Sequence, residues 1–150
     1  MNIDEIDMLY TQIQMVDNRR DADEFTLAYW KKLLDREGVE HFHIASAAVD
    51  NHRTHAPGTY LEPGHVAKGY KELVRRMMAG FREEPPALGD PAGYMESIRQ
   101  QRADYLALPE SLDRALGVIE LEQENTDVDT FRQLAIERNL PDINQIGRIT

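Results

Sequence analysis

The chain reads as all-α: a compact N-terminal four-helix bundle, then a linker, then a partly flexible helical tail rich in acids. Three observations predict this. Apolar residues recur every three or four positions through residues 3–17, 23–37, 39–55 and 62–81, the period of helices that bury one side. No stretch alternates at the period of two that a half-buried strand requires. Residues 1–82 hold 13 acids and 11 bases whereas residues 83–150 hold 14 acids and 6 bases, so the tail carries most of the net charge of −10. The expected division is a bundle at 1–82, a Pro/Gly-rich linker at 83–93 and an acidic, partner-binding tail at 94–150.

In the first helix Ile3, Ile6, Leu9, Ile13 and Val16 form the stripe, with Asn2 as cap. Asp21 or Asp23 caps the second, which carries Phe25, Leu27, Ala28, Tyr29, Trp30, Leu33 and Leu34. So many apolar residues mark it as the central packing helix, with Trp30 in the core, and Gly38 is placed to end it in the left-handed conformation. The third, residues 39–55, sets Phe42, Ala45, Val49 and His52 on one face, with Ala47 and Ala48 allowing a close crossing.

The fourth helix is the one around which the others are arranged. Pro63 suits its first turn, because the missing N–H has no partner there in any case. Val66, Tyr70, Leu73, Val74, Met77 and Phe81 then make a single apolar stripe. Lys68, Lys71, Arg75 and Arg82 lie roughly opposite, with Glu72 the only acid among them. A solvated outer face and a contact with phosphate or an acidic partner are both open for this basic side. Beyond it, three prolines and two glycines within residues 82–93 forbid a continuous helix. A helix is expected over residues 94–108, ended by Pro109, and two short amphipathic segments follow at 110–121 and 127–138. Helices so short are marginal alone in water and fold on a partner or on the bundle.

Composition narrows the chemistry. Without cysteine there are no disulfides, thiolate zinc sites or cysteine nucleophiles. No apolar run approaches membrane-spanning length and the first residues are acidic, so a cytoplasmic protein with no membrane partner is expected. Neither G-x-x-x-x-G-K-[ST] nor G-x-G-x-x-G occurs, which leaves no visible nucleotide loop. Ser46, Ser97 and Ser111 lack a nucleophile-elbow setting. The chain is read as a non-enzyme with no cofactor, no metal and no small-molecule substrate. His41, His43, His52, His55 and His65 are close in sequence, but no His-Glu-x-x-His pattern joins them, and surface or capping roles are expected.

Several segments resemble the small all-helical phage proteins, notably of actinobacterial hosts, known as replicative helicase loader/inhibitor proteins. They are the turn Asp17-Asn-Arg-Arg20, the helix Leu27-Ala-Tyr-Trp-Lys-Lys-Leu-Leu34, the helix Ala45-Ser-Ala-Ala-Val-Asp-Asn-His52, and Tyr60-Leu-Glu-Pro-Gly-His-Val66. The resemblance covers somewhat over half the chain and leaves residues 109–150 without a counterpart. It implies a protein without ATPase activity, in the cytoplasm of a bacterial host, that binds a host or phage hexameric replicative helicase and loads or inhibits it. It also implies an origin-bound initiator as a second partner, with DNA contact weak or indirect.

On this reading Tyr94, Met95, Ile98, Arg99, Arg102 and Tyr105 dock on the helicase, while Lys68, Lys71, Arg75 and Arg76 meet the initiator or DNA. Two readings of other classes stand beside it. One is a small helix-turn-helix DNA-binding regulator, against which the net charge speaks; the other is an inhibitor whose acidic tail mimics nucleic acid.

Overall fold

A computed structural model describes residues 1–56, 58–84 and 91–117. Every regular element among them is an α-helix. The helices are α1 (Ile3–Asp17), α2 (Glu24–Arg36), α3 (Phe42–His55), α4 (Pro63–Ala79) and α5 (Pro91–Ala107), and residues 109–117 form a further helix, α6. None of the described helices is long and apolar enough to cross a membrane. Met1–Leu112 constitute one unit, and Asp113–Thr150 group separately. Of the two expected tail segments, residues 110–117 of the first are helical within α6, whereas its residues 118–121, all of the second at 127–138, and residues 85–90 of the expected linker lie outside the described residues.

The helix ends follow from local chemistry. Asn2 accepts from the Glu5 N–H at 2.8 Å while the Glu5 carboxylate accepts from the Asn2 N–H at 2.8 Å, a reciprocal capping box that satisfies two otherwise orphaned donors. Asp23 rather than Asp21 caps α2, accepting from Thr26 N–H at 2.7 Å. After α2 the chain reverses through Gly38 at φ +75°, where a side chain would be strained. Pro63 opens α4, and the Glu62 N–H donates to Nδ1 of His65 at 3.1 Å. No side chain caps α3 at its N-terminus. Instead the buried hydroxyl of Tyr70 in α4 accepts from Glu40 and His41 N–H at 3.3 and 3.4 Å, so α4 holds the start of α3.

Ile6, Leu9 and Ile13 of α1, Leu34 of α2, Ile44, Ala45 and Val49 of α3, and Val66, Leu73 and Met77 of α4 are buried together. The core differs from expectation in its centre. Trp30 and Leu34 are the buried residues of α2, whereas Phe25 and Tyr29 are 86% and 60% exposed. The extensive interface is α3 against α4, because small residues let these two backbones approach: a Cβ added at Gly69 would stand 3.1 Å from the Ala48 Cβ. Between α1 and α3 the joint is polar. Gln12 donates to Ser46 O and Asp50 at 3.2 and 3.0 Å and accepts from the Ser46 hydroxyl at 2.9 Å.

The expected boundary at residue 82 is not where the chain separates. Helix α5 packs on α4 and belongs to the unit that runs to Leu112. Ile98 is buried, and Tyr105 meets the Phe81 ring edge-on at 5.4 Å. Gln101 exchanges hydrogen bonds with the Glu84 backbone at 3.0 and 3.1 Å, and His43 donates from Nε2 to Leu106 O at 3.0 Å. Residues 91–93, expected as linker, are already helical. Pro109 does end α5, but as the first residue of α6, a position where proline is tolerated.

The α3–α4 crossing gives a direct test. Gly69→Val forces a branched side chain against Ala48, and an overpacked contact of this kind costs about 1–3 kcal/mol. Gly64→Ala, where nothing lies within 4 Å, is expected to leave stability unchanged or raise it. Urea denaturation of both variants reads the difference; equal midpoints would mean that α3 and α4 do not depend on this close approach.

Candidate functional site

The turn after α1 and the segment before α4 meet around one guanidinium. Asn18 takes the left-handed conformation, φ 50°, which small polar side chains tolerate, and the chain turns so that Arg19 folds back on the helix end. Its side chain is 3% exposed. Nε donates to Asp17 Oδ1 at 2.7 Å, Nη2 donates to Asp17 Oδ2, and Nη2 also reaches Leu61 O at 2.6 Å. The Leu61 N–H in turn donates to Asp17 Oδ2 at 3.3 Å. A fork of donors matched to a carboxylate is the strong form of ion pair.

Three aromatic rings surround the same cation. Its central carbon lies 4.2 Å from the Tyr60 ring centroid, 5.4 Å from Tyr10 and 5.6 Å from Trp30, and Tyr10 meets Trp30 edge-on at 5.4 Å. Each ring face attracts the guanidinium within this range. Burial pushes the Asp17 carboxyl up, but the hydrogen bonds from Arg19 and Leu61 and the Arg19 charge outweigh it and hold Asp17 below its ordinary 3.8. The residues quoted for the resemblance, Asp17, Trp30, Tyr60 and Leu61, thus converge on Arg19. Sequence reasoning found the segments but assigned no role to Arg19.

Beside this knot is a cleft lined by Asp17, Asp50, His52, Arg53, Thr59 and Leu61, among others. His52 stacks on His65, with centroids 5.1 Å apart, and its buried Nε2 has no hydrogen-bond partner. Burial first, then the neighbouring His65 and His55, pushes the His52 imidazole below its ordinary 6.5. The remaining histidines have separate local tasks: His55 Nδ1 donates to Asn51 O at 2.6 Å, and the His41 ring lies 5.8 Å from that of His43. Among the described residues no three His, Asp or Glu are grouped to hold a metal ion.

The basic face of α4 is in place and partly neutralised. Lys68 is exposed. Lys71 pairs with Glu37 of the α2 C-terminus at 2.8 Å. Arg75 and Arg76 both engage Glu72, at 2.7 and 2.9 Å, and Arg75 and Arg76 between them hold its carboxyl down at about 2. The groove between α2 and α4 is lined by Leu33, Arg36, Ala67, Lys68, Lys71 and Arg75, with Glu37 and Glu72 also present.

The six residues expected to meet a helicase are brought onto α5 but not onto one surface. Tyr94 and Met95 are 37% and 56% exposed. Arg99 is exposed beside Glu96 at 3.5 Å, and Arg102 pairs with Glu83 at 3.0 Å. Ile98 is buried and Tyr105 is half-buried against Phe81. These two anchor the helix, so the surface available to a partner is Tyr94, Met95, Arg99 and Arg102.

Arg19→Met leaves Asp17 without its cation in a mostly enclosed place and is expected to lower the unfolding free energy by about 3–5 kcal/mol; a chemical-denaturation midpoint unchanged from the parent would show that the knot does not hold the fold. The histidine gives a pH test. Since the folded pKa of His52 lies below the unfolded 6.5, its contribution is complete above that value and is lost as pH falls through and below it. Asp17 behaves likewise around its unfolded 3.8, in a separate, more acid window. The urea midpoint is therefore expected to fall between about pH 7.5 and about pH 5.5, and His52→Gln to flatten part of that fall, the part due to His41, also held below 6.5 by burial first, persisting.

No protein-family model, curated protein or solved structure matches the chain, which leaves its own residues and their geometry to carry a functional reading.

Proposed function

We infer that the chain is a DNA-replication accessory protein of the phage helicase loader/inhibitor type. In this reading α1 to α4 form a four-helix bundle, and an acidic tail follows. The protein binds a hexameric replicative helicase and loads or inhibits it by protein contact, without hydrolysing nucleotide. The observation that carries the proposal is the way α5 is presented. Ile98 and Tyr105 fix it to the rest of the chain, while Tyr94 and Met95 stay exposed next to Arg99. Exposed aromatic and methionine side chains with a neighbouring arginine have the composition of an interface centre. Lys68, Lys71, Arg75 and Arg76 are the side on which an origin-bound initiator or DNA is met.

Co-purification of the full chain with a hexameric replicative helicase of an actinobacterial host tests the reading. Met95→Ala combined with Arg99→Ala is expected to weaken binding by roughly tenfold or more with thermal melting unchanged, because both side chains are exposed. Ile98→Ala removes a buried side chain and is expected to cost about 2–4 kcal/mol of stability. Failure of the parent chain to bind the helicase would sink the reading, and undiminished binding by the double variant would move the contact off α5.

A further inference from the structure

We propose that the outer face of α2, together with the basic groove it shares with α4, is a binding surface for single-stranded nucleic acid. The inference builds on the basic face assigned above to initiator or DNA, and commits that face to a single strand. Phe25, Tyr29, Lys32 and Arg36 fall at offsets of four, seven and eleven, one straight line along a helix. The line runs opposite the buried Trp30 and Leu34. Phe25 is 86% and Tyr29 60% exposed, and Lys32 and Arg36 are exposed as well. Arg36 also lines the groove between α2 and α4, where Lys68, Lys71 and Arg75 supply further cations against Glu37 and Glu72.

Geometry and charge select the ligand. The two rings stand about 6 Å apart along the helix axis, wider than the about 3.4 Å between stacked bases of a duplex strand. Each ring therefore takes its own unstacked base, as the aromatic platforms of single-strand binders do. The cations beyond Tyr29 continue the line to a length of about 16 Å and then turn into the groove, placing positive charge where a phosphate backbone leaves the rings. A paired duplex offers no base faces to Phe25 and Tyr29. With a formal charge of −10 on the whole chain, long-range attraction to phosphate is absent and binding rests on stacking plus these local cations. Affinity is accordingly modest and confined to low salt.

The experiment is fluorescence anisotropy of the full chain with a labelled oligothymidylate of about 20 nucleotides, and with a duplex of the same length, across a salt series. The single strand is expected to bind more tightly than the duplex. Phe25→Ala with Tyr29→Ala is expected to weaken binding roughly tenfold or more at unchanged melting temperature, and Phe25→Trp with Tyr29→Trp to retain it. Lys32→Ala with Arg36→Ala is expected to make the salt slope shallower by about 1.4, at about 0.7 per phosphate contact in a single strand. No binding of the oligothymidylate, equal binding of the duplex, or indifference to loss of both rings overturns the proposal. Because no helicase is present, failure here is separable from failure of the co-purification.

Discussion

The fold depends on a guanidinium taken almost out of water. Arg19 is 3% exposed in its side chain, and so buried a cation costs several kcal/mol unless its donors are matched. The chain matches them from three places: the end of α1 through Asp17, the segment before α4 through Leu61 O, and the rings of Tyr10, Trp30 and Tyr60. The consequence is a constraint on connection rather than on any one helix. The turn into α2 and the turn into α4 are each fixed by a group in the other, so the two helix pairs are locked at one end. Any arrangement that separated Leu61 from the α1 terminus would lose the Arg19 bond to Leu61 O, the Leu61 N–H bond to Asp17 and the Tyr60 ring over the guanidinium, and this makes alternatives to the observed packing costly.

From that locked end, packing does the rest by size. Ala48 and Gly69 permit α3 and α4 to close on each other, which brings the Tyr70 hydroxyl to the uncapped start of α3. Helix α2 buries only the side that carries Trp30 and Leu34, in contact with α1 and α4, and its outer aromatic residues are presented rather than used internally. The same economy explains α5. Its apolar content is too small for a broad buried face, so one isoleucine, one ring contact and polar clasps to Glu83 and Glu84 hold it.

What was legible in the sequence was periodic or local. Ile6, Leu9 and Ile13 of the α1 stripe, Val66, Tyr70, Leu73 and Met77 of the α4 stripe, the caps at Asn2 and Asp23, Pro63 in a first turn and the left-handed Gly38 all follow from spacing or from conformational preference and are found, whereas Ile3 at the start of the α1 stripe is 44% exposed. Less legible was anything set by neighbours distant in sequence. Phe25 and Tyr29 look as apolar as Leu34, and which side of α2 is enclosed is decided by where α1 and α4 lie against it. Ile98 and Tyr105 stood beyond a run of prolines that announces a break in helix, not a break in contact; Phe81 and His43, which receive them or their neighbours, are far away in sequence. Arg19 was hidden for the same reason. An arginine in an Asp-Asn-Arg-Arg turn is ordinarily solvated, and its burial needs Tyr60 and Leu61 from a segment some forty residues on. A usable signal did exist for the outer face of α2: offsets of four, seven and eleven joining two aromatics to two cations are as regular as any core stripe.

The two surfaces proposed for binding differ in what organisation has already been supplied. On α5 the backbone is held before a partner arrives, so the ordering cost that a free segment bears on binding falls largely on folding. A contact built from Tyr94, Met95 and Arg99 then needs few additional residues to reach useful affinity. On α2 and α4 the cations are restrained by acids instead: Glu37 and Glu72 occupy Lys71, Arg75 and Arg76, and an incoming phosphate must compete with them. These pairs are exposed and individually weak, so competition lowers affinity without closing the site. On the proposed reading it also favours a ligand that offers something carboxylates do not, a planar face for Phe25 and Tyr29, by which a strongly acidic chain would tell a single strand from polyanions in general.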